Sequence, residues 1–255
     1  MTFRNKQLPK ISVITVTFNS EKTIEETINS VRSQNYKPIE HIIIDGASSD
    51  NTLKIIESYS ESIAFTLSEP DKGIYDALNK GLSVATGDII SFLHSDDLYA
   101  KNSTVYEVLQ YFDDDTQGIY SDLVYTNKYD LNKVMRYWKS CNYNPSLLEN
   151  GWMPPHPTLF LRRGVYEKYG YFDTSFKISA DYDFMLRILK NNIKVKYFPQ
   201  VTYKMRVGGK SNRSFSNILN KSKEDFNALR KNKLKNPSII LIKKNISKID
   251  QLFKR

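Results

Sequence analysis

The stretch "ISVITVTF" (residues 11–18) is rich in β-branched residues and predicts a buried β-strand. A helix is predicted at 22–34, because Ile24, Ile28 and Val31 have the spacing of one helical face. Strands interleaved with helices over about a hundred residues predict an α/β fold with a mostly parallel, doubly wound sheet flanked by helices. The further strands of this alternation are expected at 41–45, 63–67 and 88–93, and its further helices at 51–60 and 74–81.

The rest of the chain alternates less regularly and ends in a basic extension. Residues 204–255 hold 15 Lys or Arg against 3 Asp or Glu, although the net charge of all 255 residues is only +9. We therefore predict a catalytic domain over 1–203 and a basic C-terminal extension over 204–255, a loop followed by amphipathic helices. Further strands are expected at 118–126, 157–163 and 194–203, and helices near 100–112, 164–169 and 181–191.

Cysteine usage and hydropathy indicate the compartment. The single cysteine, Cys141, excludes an intrachain disulfide framework and favours a reducing cytoplasm. The N-terminal residues show no apolar run typical of a secretory signal, and no stretch approaches the roughly 20 apolar residues of a membrane-spanning helix.

Polar clusters follow the predicted strands where each strand ends: Asn19, Asp45, residues 69–73 and residues 94–97. In open α/β sheets ligands bind beyond the carboxyl ends of the strands, so these clusters are expected to converge on one edge. Asp45 could accept a hydrogen bond from a nucleobase there, whereas Asp50 is interpreted as a helix cap.

Two further clusters leave alternatives open. In "EPDKGIYDALNKG" (69–81), Lys72 is placed either in a plain turn or beside a phosphate at a helix N-terminus, and Asp76 and Lys80 form an i, i+4 pair. In "HSDD" (94–97), two adjacent carboxylates need compensation by solvent or by a metal ion. Their alignment with the other strand ends favours a hard divalent cation.

The segment "SADYDFMLRILK" (179–190) places Asp181 and Asp183 at the start of a predicted helix. The helix dipole alone would favour acidic residues there, but either carboxylate could act as a general base. His156 lies between prolines, and nothing in the neighbouring sequence distinguishes it from an ordinary polar residue at the protein surface.

Taken together, "TVTFN", "DGASSD", "DKGIYDALNKG", "GDIISFLHSDD" and "SADYDF" resemble the motifs of family 2 glycosyltransferases in order and spacing. The resemblance covers about residues 10–210 and is greatest to small bacterial enzymes of capsule, exopolysaccharide and lipopolysaccharide assembly. It implies a GT-A fold and an inverting, metal-dependent hexosyltransferase. The implied donor is a nucleotide-diphospho-sugar, with UDP expected, and the implied acceptor is a glycan or lipid-linked saccharide.

The resemblance also implies a role for each matching residue. Asp181 matches the catalytic base, although Ala180 replaces the usual Glu and leaves Asp183 as a substitute. Asp97 would ligate Mn or Mg, and Asp96 would approach the ribose or the metal. The remaining implied positions are Thr17 and Asn19 in the nucleotide pocket, Asp45 on the base, Lys72 and Asp76 near the diphosphate and sugar, and His156 in the site.

Other protein classes fit the sequence less well. A sugar-nucleotide pyrophosphorylase normally has a Gly-rich loop after its first strand, and dinucleotide oxidoreductases have G-x-G-x-x-G, but this chain reads "TFNSEKT" there. A nucleic-acid-binding protein would need aromatic residues among the basic residues of the tail. The absence of a Q-x-x-R-W segment argues against a processive synthase.

The C-terminal stretch 238–255 predicts a basic amphipathic helix. We expect it to dock on the anionic inner face of the cytoplasmic membrane, with its isoleucines packed on the body or on a second subunit of a homodimer as the alternative. The apolar stripe comprises Ile239, Ile242, Ile246, Ile249 and Phe253, and Lys243, Lys244, Lys248 and Lys254 lie off it.

Overall fold

The computed structural model describes residues 8–208 and 215–253, with side chains in the C-terminal part described from 218 to 246. The strands are β1 (Ile11–Thr17), β2 (Ile39–Asp45), β3 (Phe65–Ser68), β4 (Ile89–Phe92), β5 (Leu98–Tyr99), β6 (Gly118–Thr126), β7 (Val134–Trp138), β8 (Phe160–Arg162) and β9 (Val195–Arg206). The α-helices are α1 (Ile24–Arg32), α2 (Thr52–Ser58), α3 (Ile74–Val84), α4 (Thr104–Leu109), α5 (Arg163–Tyr169), α6 (Ala180–Lys190), α7 (Phe215–Lys231) and α8 (Pro237–Phe253).

The described strands form one mixed sheet with the order β3-β2-β1-β4-β8-β6-β9-β5, and β7 pairs with β6. Strands β3, β2, β1 and β4 are mutually parallel, as the alternation of strands and helices predicts. Strand β8 is antiparallel to both β4 and β6, so β6 runs in the same direction as β4. The carboxyl ends of β1, β2, β4 and β6 therefore face one edge of the sheet.

Helices cover both faces of the sheet because each has one apolar stripe. Helix α1 buries Ile24, Ile28 and Val31, the three residues expected from the sequence. Gly81 lets α3 pack closely on β1, since a Cβ at this position would lie 2.4 Å from Ile14 Cγ2.

The C-terminal helices pack on the same core as the rest of the chain. Ala228 and Leu229 of α7 and Ile240 of α8 are buried in the cluster that contains the apolar face of α6. Strand β9 continues through residue 204 to Arg206, so the flexible stretch expected from 204 begins instead as a strand. Residues 209–214 of that stretch lie outside the described residues, and the division into 1–203 and 204–255 stays a prediction.

Candidate active site

Thr17 and Asp45 end adjacent parallel strands and face each other in register. Asp45 is fully buried, and its carboxylate accepts hydrogen bonds from the Ser48 backbone N–H (2.9 Å), the Ser48 hydroxyl (2.5 Å) and the Ser68 hydroxyl (2.7 Å). The Thr17 hydroxyl is buried with no hydrogen-bond partner among the described residues. The site therefore contains one strongly held carboxylate beside one unsatisfied hydroxyl.

Asn19 holds the loop after β2 in place. It adopts a left-handed backbone (φ 50), its backbone N–H donates to the Ser48 hydroxyl at 2.8 Å, and its side-chain oxygen accepts from the Ser49 N–H at 2.9 Å. Asp50 accepts from the Thr52 N–H at 3.0 Å at the start of α2, although the N-cap residue itself is Asn51 and not Asp50.

The turn before α3 lies against the same loop. A Cβ at Gly46 would lie 2.5 Å from Asp71 Oδ2, so this glycine allows the two turns to touch. Asp76 accepts the Lys72 backbone N–H at 3.0 Å, and Lys80 pairs with Asp76 at 3.6 Å. The Lys72 side chain is exposed at the N-terminus of α3, where it could reach a bound anion.

Asp97 is the most unusual carboxylate of the site. It is completely buried, and neither carboxylate oxygen accepts a hydrogen bond from any described residue. Burial, followed by the neighbouring Asp96 carboxylate, raises the pKa of Asp97 well above its usual value. The Arg206 backbone N–H, which is too poorly placed for a hydrogen bond, and the Arg206 charge only partly oppose this rise. Such a group is costly unless something compensates its charge, so a solvated turn does not explain it.

Arg206 supplies part of that compensation. Arg206 is 7% exposed, and its guanidinium donates to the Asp96 backbone oxygen at 2.6 Å and to Glu26 Oε2 at 2.5 Å. The sequence placed Arg206 in a flexible polar stretch, but it ends the long strand β9 inside the site. No sequence signal distinguished it from the other basic residues of the tail.

Asp181 lies in the first turn of α6 and contacts two side chains from other elements. The Tyr75 hydroxyl is 3.0 Å from Asp181 Oδ1, and His156 Nδ1 is 3.1 Å from Asp181 Oδ2, although this ring is not aligned for a hydrogen bond. Burial raises the pKa of Asp181, but the positive charges of His156, Lys221 and Lys244 outweigh it and hold that pKa below its usual value. Asp181 is therefore a carboxylate kept ionised in a largely buried position.

Asp183 faces a different part of the molecule. It is completely buried, Oδ1 accepts from the Asn232 side chain at 2.8 Å, and Oδ2 pairs with Lys231 at 3.1 Å and Arg187 at 3.5 Å. Its oxygens thus fasten α7 to α6. This arrangement gives Asp183 a structural role and leaves Asp181 facing the other side chains of the site.

His94 connects the two halves of the site electrostatically. Burial lowers its pKa, and the charges of Asp96, His156 and Asp181 also act on it. The end of β4 and the start of α6 therefore share one electrostatic environment, although they are far apart in sequence.

Within the described residues, no group of three or more His, Cys, Asp or Glu side chains is arranged to hold a metal ion by itself. The orphaned carboxylate of Asp97 nevertheless fits a hard divalent cation, because oxygen ligands without other partners are what Mg²⁺ and Mn²⁺ require. The rest of such a coordination sphere would come from a bound ligand or from water.

The family model "Glycosyl transferase family 2" matches residues 12–178. The chain therefore belongs to this family and is a glycosyltransferase, as the five motifs indicated. The matched region includes every implied donor-side residue but stops before Asp181 and the C-terminal helices.

Individual relatives and solved structures agree with this assignment. An uncharacterized glycosyltransferase of Mycobacterium tuberculosis is 34% identical over 70% of this chain and 68% of its own. Staphylococcus aureus TarS 1–349 in complex with UDP-GlcNAc covers 88% of this chain and 65% of its own with a TM-score of 0.67 at 20% identity. The mannosyltransferase PcManGT of Pyrobaculum calidifontis, in complex with GDP-Man and Mn²⁺, covers 93% of this chain and 69% of its own with a TM-score of 0.66 at 21% identity.

The GT-A fold expected from the resemblance is thereby confirmed, while the individual residue roles stay predictions. Sequence reasoning missed four side chains that structure the site: Ser68, Tyr75, Arg206 and Glu224, whose carboxylate accepts the backbone N–H groups of residues 177–179 just before α6. Tyr75 lies within the motif "DKGIYDALNKG", so its place in that motif was the available signal. The other three act through contacts that no local pattern encodes.

Proposed function

We propose that this protein is an inverting glycosyltransferase that moves a sugar from a nucleotide-diphospho-sugar, with UDP as the nucleotide, to a hydroxyl of a glycan or lipid-linked acceptor. The reaction belongs to the synthesis of a bacterial surface polysaccharide. The observation that carries the proposal is a pair of differently treated carboxylates, one after strand β4 and one in the first turn of α6. Asp97 is buried without a partner, and Asp181 is held ionised by surrounding positive charge.

The nucleotide is proposed to bind over the ends of β1 and β2. Asp45 accepts a base N–H in place of one serine hydroxyl, and the unsatisfied Thr17 hydroxyl offers a second polar contact. Asn19 keeps the loop between them in shape. Lys72 reaches the diphosphate from the start of α3, and Asp76 holds the turn that presents Lys72.

A divalent cation, Mn²⁺ or Mg²⁺, would be held by Asp97 with Asp96 nearby, and when bound it would stabilise the negative charge that develops on the leaving diphosphate. The structurally similar PcManGT, crystallised with GDP-Man and Mn²⁺, supports this choice of cofactor. For Asp97 itself the ion would supply the missing partner, since this buried carboxylate otherwise lacks one.

Asp181 is proposed to accept the proton of the acceptor hydroxyl as that oxygen attacks the anomeric carbon opposite the diphosphate. The new bond forms as the bond to the diphosphate breaks, so the configuration inverts. Tyr75 and His156 orient the Asp181 carboxylate through their contacts at 3.0 and 3.1 Å. Burial, followed by the charge of Asp181, raises the pKa of Tyr75, so its hydroxyl stays protonated.

A panel of UDP-glucose, UDP-galactose, UDP-GlcNAc and GDP-mannose, assayed for release of the nucleoside diphosphate with Mn²⁺, with Mg²⁺ and with EDTA, tests the proposal. We expect one UDP-sugar to be turned over only with metal. Formation of pyrophosphate when a sugar phosphate and UTP are supplied would instead indicate a sugar-nucleotide pyrophosphorylase. Equal turnover with metal and with EDTA would contradict the proposal that the reaction requires a divalent cation.

The acceptor is proposed to lie at an anionic membrane surface, where α8 docks. Ile239, Ile242 and Ile246 are 53–58% exposed on one side of α8, and Lys243 beside them is exposed as well. Each basic residue near anionic lipid contributes about 1 kcal/mol of binding. Lys244, expected among the solvated lysines, is instead buried and paired with Asp225 at 2.9 Å.

Ile249, Phe253, Lys248 and Lys254 of the expected stripe lie outside the residues whose side chains the structure describes. None of the described helices is long and apolar enough to cross a membrane. Docking would therefore rest on the exposed face of α8, while Ile240 on its opposite side stays in the core.

Cosedimentation with vesicles of phosphatidylglycerol or of phosphatidylcholine tests the docking. We expect the native chain to bind only the anionic vesicles, and Ile239→Ser/Ile242→Ser/Ile246→Ser to lose binding. Val134→Ser/Met135→Ser, which changes exposed residues of β7, serves as the control. Unchanged binding by the triple variant contradicts the proposal, and a dimer that dissociates in it would show that a second copy covers the stripe.

A further inference from the structure

Glu224 of α7 holds the chain immediately before α6. Its carboxylate accepts three consecutive backbone N–H groups, from Lys177 at 3.0 Å, Ile178 at 2.8 Å and Ser179 at 2.9 Å. Helix α6 begins at the next residue, and Asp181 is its second residue. One side chain from the C-terminal part of the chain therefore fixes the segment that leads into the proposed base.

The start of α6 needs such a partner. The first N–H groups of a helix lack intrahelical acceptors and are usually capped by a nearby side chain. Here Ser179, the N-cap residue, makes no side-chain capping hydrogen bond, and its buried hydroxyl has no partner among the described residues. Glu224 accepts the Ser179 N–H at the helix start and the N–H groups of Lys177 and Ile178, which precede the helix. Charge-assisted hydrogen bonds that three amides donate to one carboxylate are stronger than neutral ones, and the negative charge suits the positive end of the helix dipole.

The same turn also orients Asp181 directly. The Tyr75 hydroxyl lies 2.7 Å from the Ile178 backbone oxygen and 3.0 Å from Asp181 Oδ1. A shift of residues 177–179 would therefore move both Asp181 and the hydroxyl that contacts it. Ala180, the neighbour of Asp181, is buried and offers no polar group that could take over this task.

We propose that Glu224 is a positioning residue for Asp181, so that α7 completes the active site from outside the family-matched region 12–178. The inference rests on the proposed role of Asp181 as the base. It assigns to the C-terminal extension a part in the reaction itself, separate from any contact with a membrane.

Other contacts keep α7 docked when Glu224 is changed. Asp183 binds Asn232 and Lys231, and Lys244 of α8 pairs with Asp225, whose side chain is 1% exposed. A variant of Glu224 should therefore release the turn 177–179 without detaching the helix. This separation makes positioning distinguishable from folding.

The test compares Glu224→Gln and Glu224→Ala with Glu167→Gln, which removes an exposed carboxylate paired with Arg163 on α5. Four quantities are measured: UDP release from the most active UDP-sugar of the panel, affinity for UDP with Mn²⁺, the unfolding temperature, and amide hydrogen exchange of residues 177–179. UDP affinity reports the donor side, and exchange reports the contact independently of activity.

We expect kcat to fall about tenfold or more in Glu224→Ala, because small displacements of a catalytic group are costly. Glu224→Gln, which keeps one acceptor oxygen, should fall less. Amides 177–179 should exchange faster in both, UDP affinity should stay within about twofold, and Glu167→Gln should match the native chain.

Faster exchange with unchanged kcat would show that the contact does not position the base. A parallel loss of kcat, UDP affinity and thermal stability would assign Glu224 a scaffold role, and unchanged exchange would mean that the contact does not protect these amides. A native chain that releases UDP from no donor would refute the proposed function, and the positioning role with it. The exchange result would still record whether Glu224 holds the turn.

Discussion

Two regions of the molecule each contain a completely buried aspartate, but the surroundings of the two carboxylates differ. One region is the strand-end edge, at the carboxyl ends of the parallel strands, and the other is the junction of α6 with α7. Asp97 at the strand-end edge has no hydrogen-bond partner among the described residues. Asp183 at the helix junction is bound by Asn232, Lys231 and Arg187. Equal burial thus coexists with an unsatisfied carboxylate in one region and a fully paired one in the other.

We interpret this difference as that between a carboxylate proposed to bind a cation and a carboxylate that stabilises the fold. A protein loses several kcal/mol by burying an unpaired charge, so such a group persists where a bound ion repays the loss. Asp183, by contrast, gains partners from α7 and contributes to folding. Asp181 lies between the extremes, since it is largely buried and its carboxylate lies 3.0 Å from the Tyr75 hydroxyl and 3.1 Å from His156 Nδ1.

The largest expected effect follows from Asp97→Asn. Because this change removes the proposed cation ligand, we expect metal-dependent UDP release to fall about a thousandfold. Thermal stability without metal should stay equal or rise, since an unpartnered buried charge is lost. The Mn²⁺-induced rise in the unfolding temperature should disappear. Retention of that rise in the variant would remove Asp97 from the cation site.

Asp181→Asn is expected to lower turnover about a hundredfold or more while UDP affinity stays unchanged, because a general base acts in the transition state. Steady-state kinetics and calorimetric titration of UDP measure the two effects. If Asp183→Asn abolished turnover at unchanged stability and Asp181→Asn did not, the base would be Asp183 and the comparison between the two regions would fail.

Asp183→Asn is expected to destabilise the fold by about 3 kcal/mol, since it removes the charge of a buried carboxylate and leaves the partly exposed Lys231 and Arg187 with a weaker acceptor. The free energy of unfolding in urea, measured beside Asp97→Asn, checks this. A loss of unfolding free energy in Asp183→Asn, with no loss or a gain in Asp97→Asn, would confirm that the two carboxylates differ in their pairing. Equal destabilisation of the two variants would contradict this.

The smallest effect concerns Glu40, another buried carboxylate, at the amino end of β2. Although burial raises its pKa, hydrogen bonds from Lys10, Ser12 and Thr86 outweigh burial and lower the pKa of Glu40 from 4.5 to about 2. The ionised form is therefore favoured in the fold. Its stabilisation, about 2–3 kcal/mol, should be complete above pH 4.5 and be lost as the pH falls towards 2.

Urea unfolding of the native chain and of Glu40→Gln between pH 2 and pH 6 tests this. The variant should be less stable at pH 6 and should lose the part of the pH dependence that lies between pH 4.5 and pH 2. Identical slopes in the two proteins would show that the pairing does not lower the pKa.

The parallel half could be predicted from the sequence because its signals are local. The β-branched run at 11–17 and the one-face spacing of α1 define elements whose side chains are buried as expected. Strand β6 has the expected bounds 118–126. Strands β5 and β7 were not predicted. Strand β5 has only two residues, and β7 is mostly exposed and has no buried face that would give a periodic apolar pattern.

By itself the sequence determined the α/β class, the GT-A resemblance and the set of acidic residues at the strand ends, because alternation and motif order are properties of neighbouring residues. Only the tertiary structure decided which of these acids has partners. Asp45 binds Ser68, which lies 23 residues away in the sequence, and Asp183 binds Asn232, which lies 49 residues away. Glu224 binds backbone amides that lie 45–47 residues before it. The compensation of a buried charge depends on which groups surround it in space, and no local pattern records those groups.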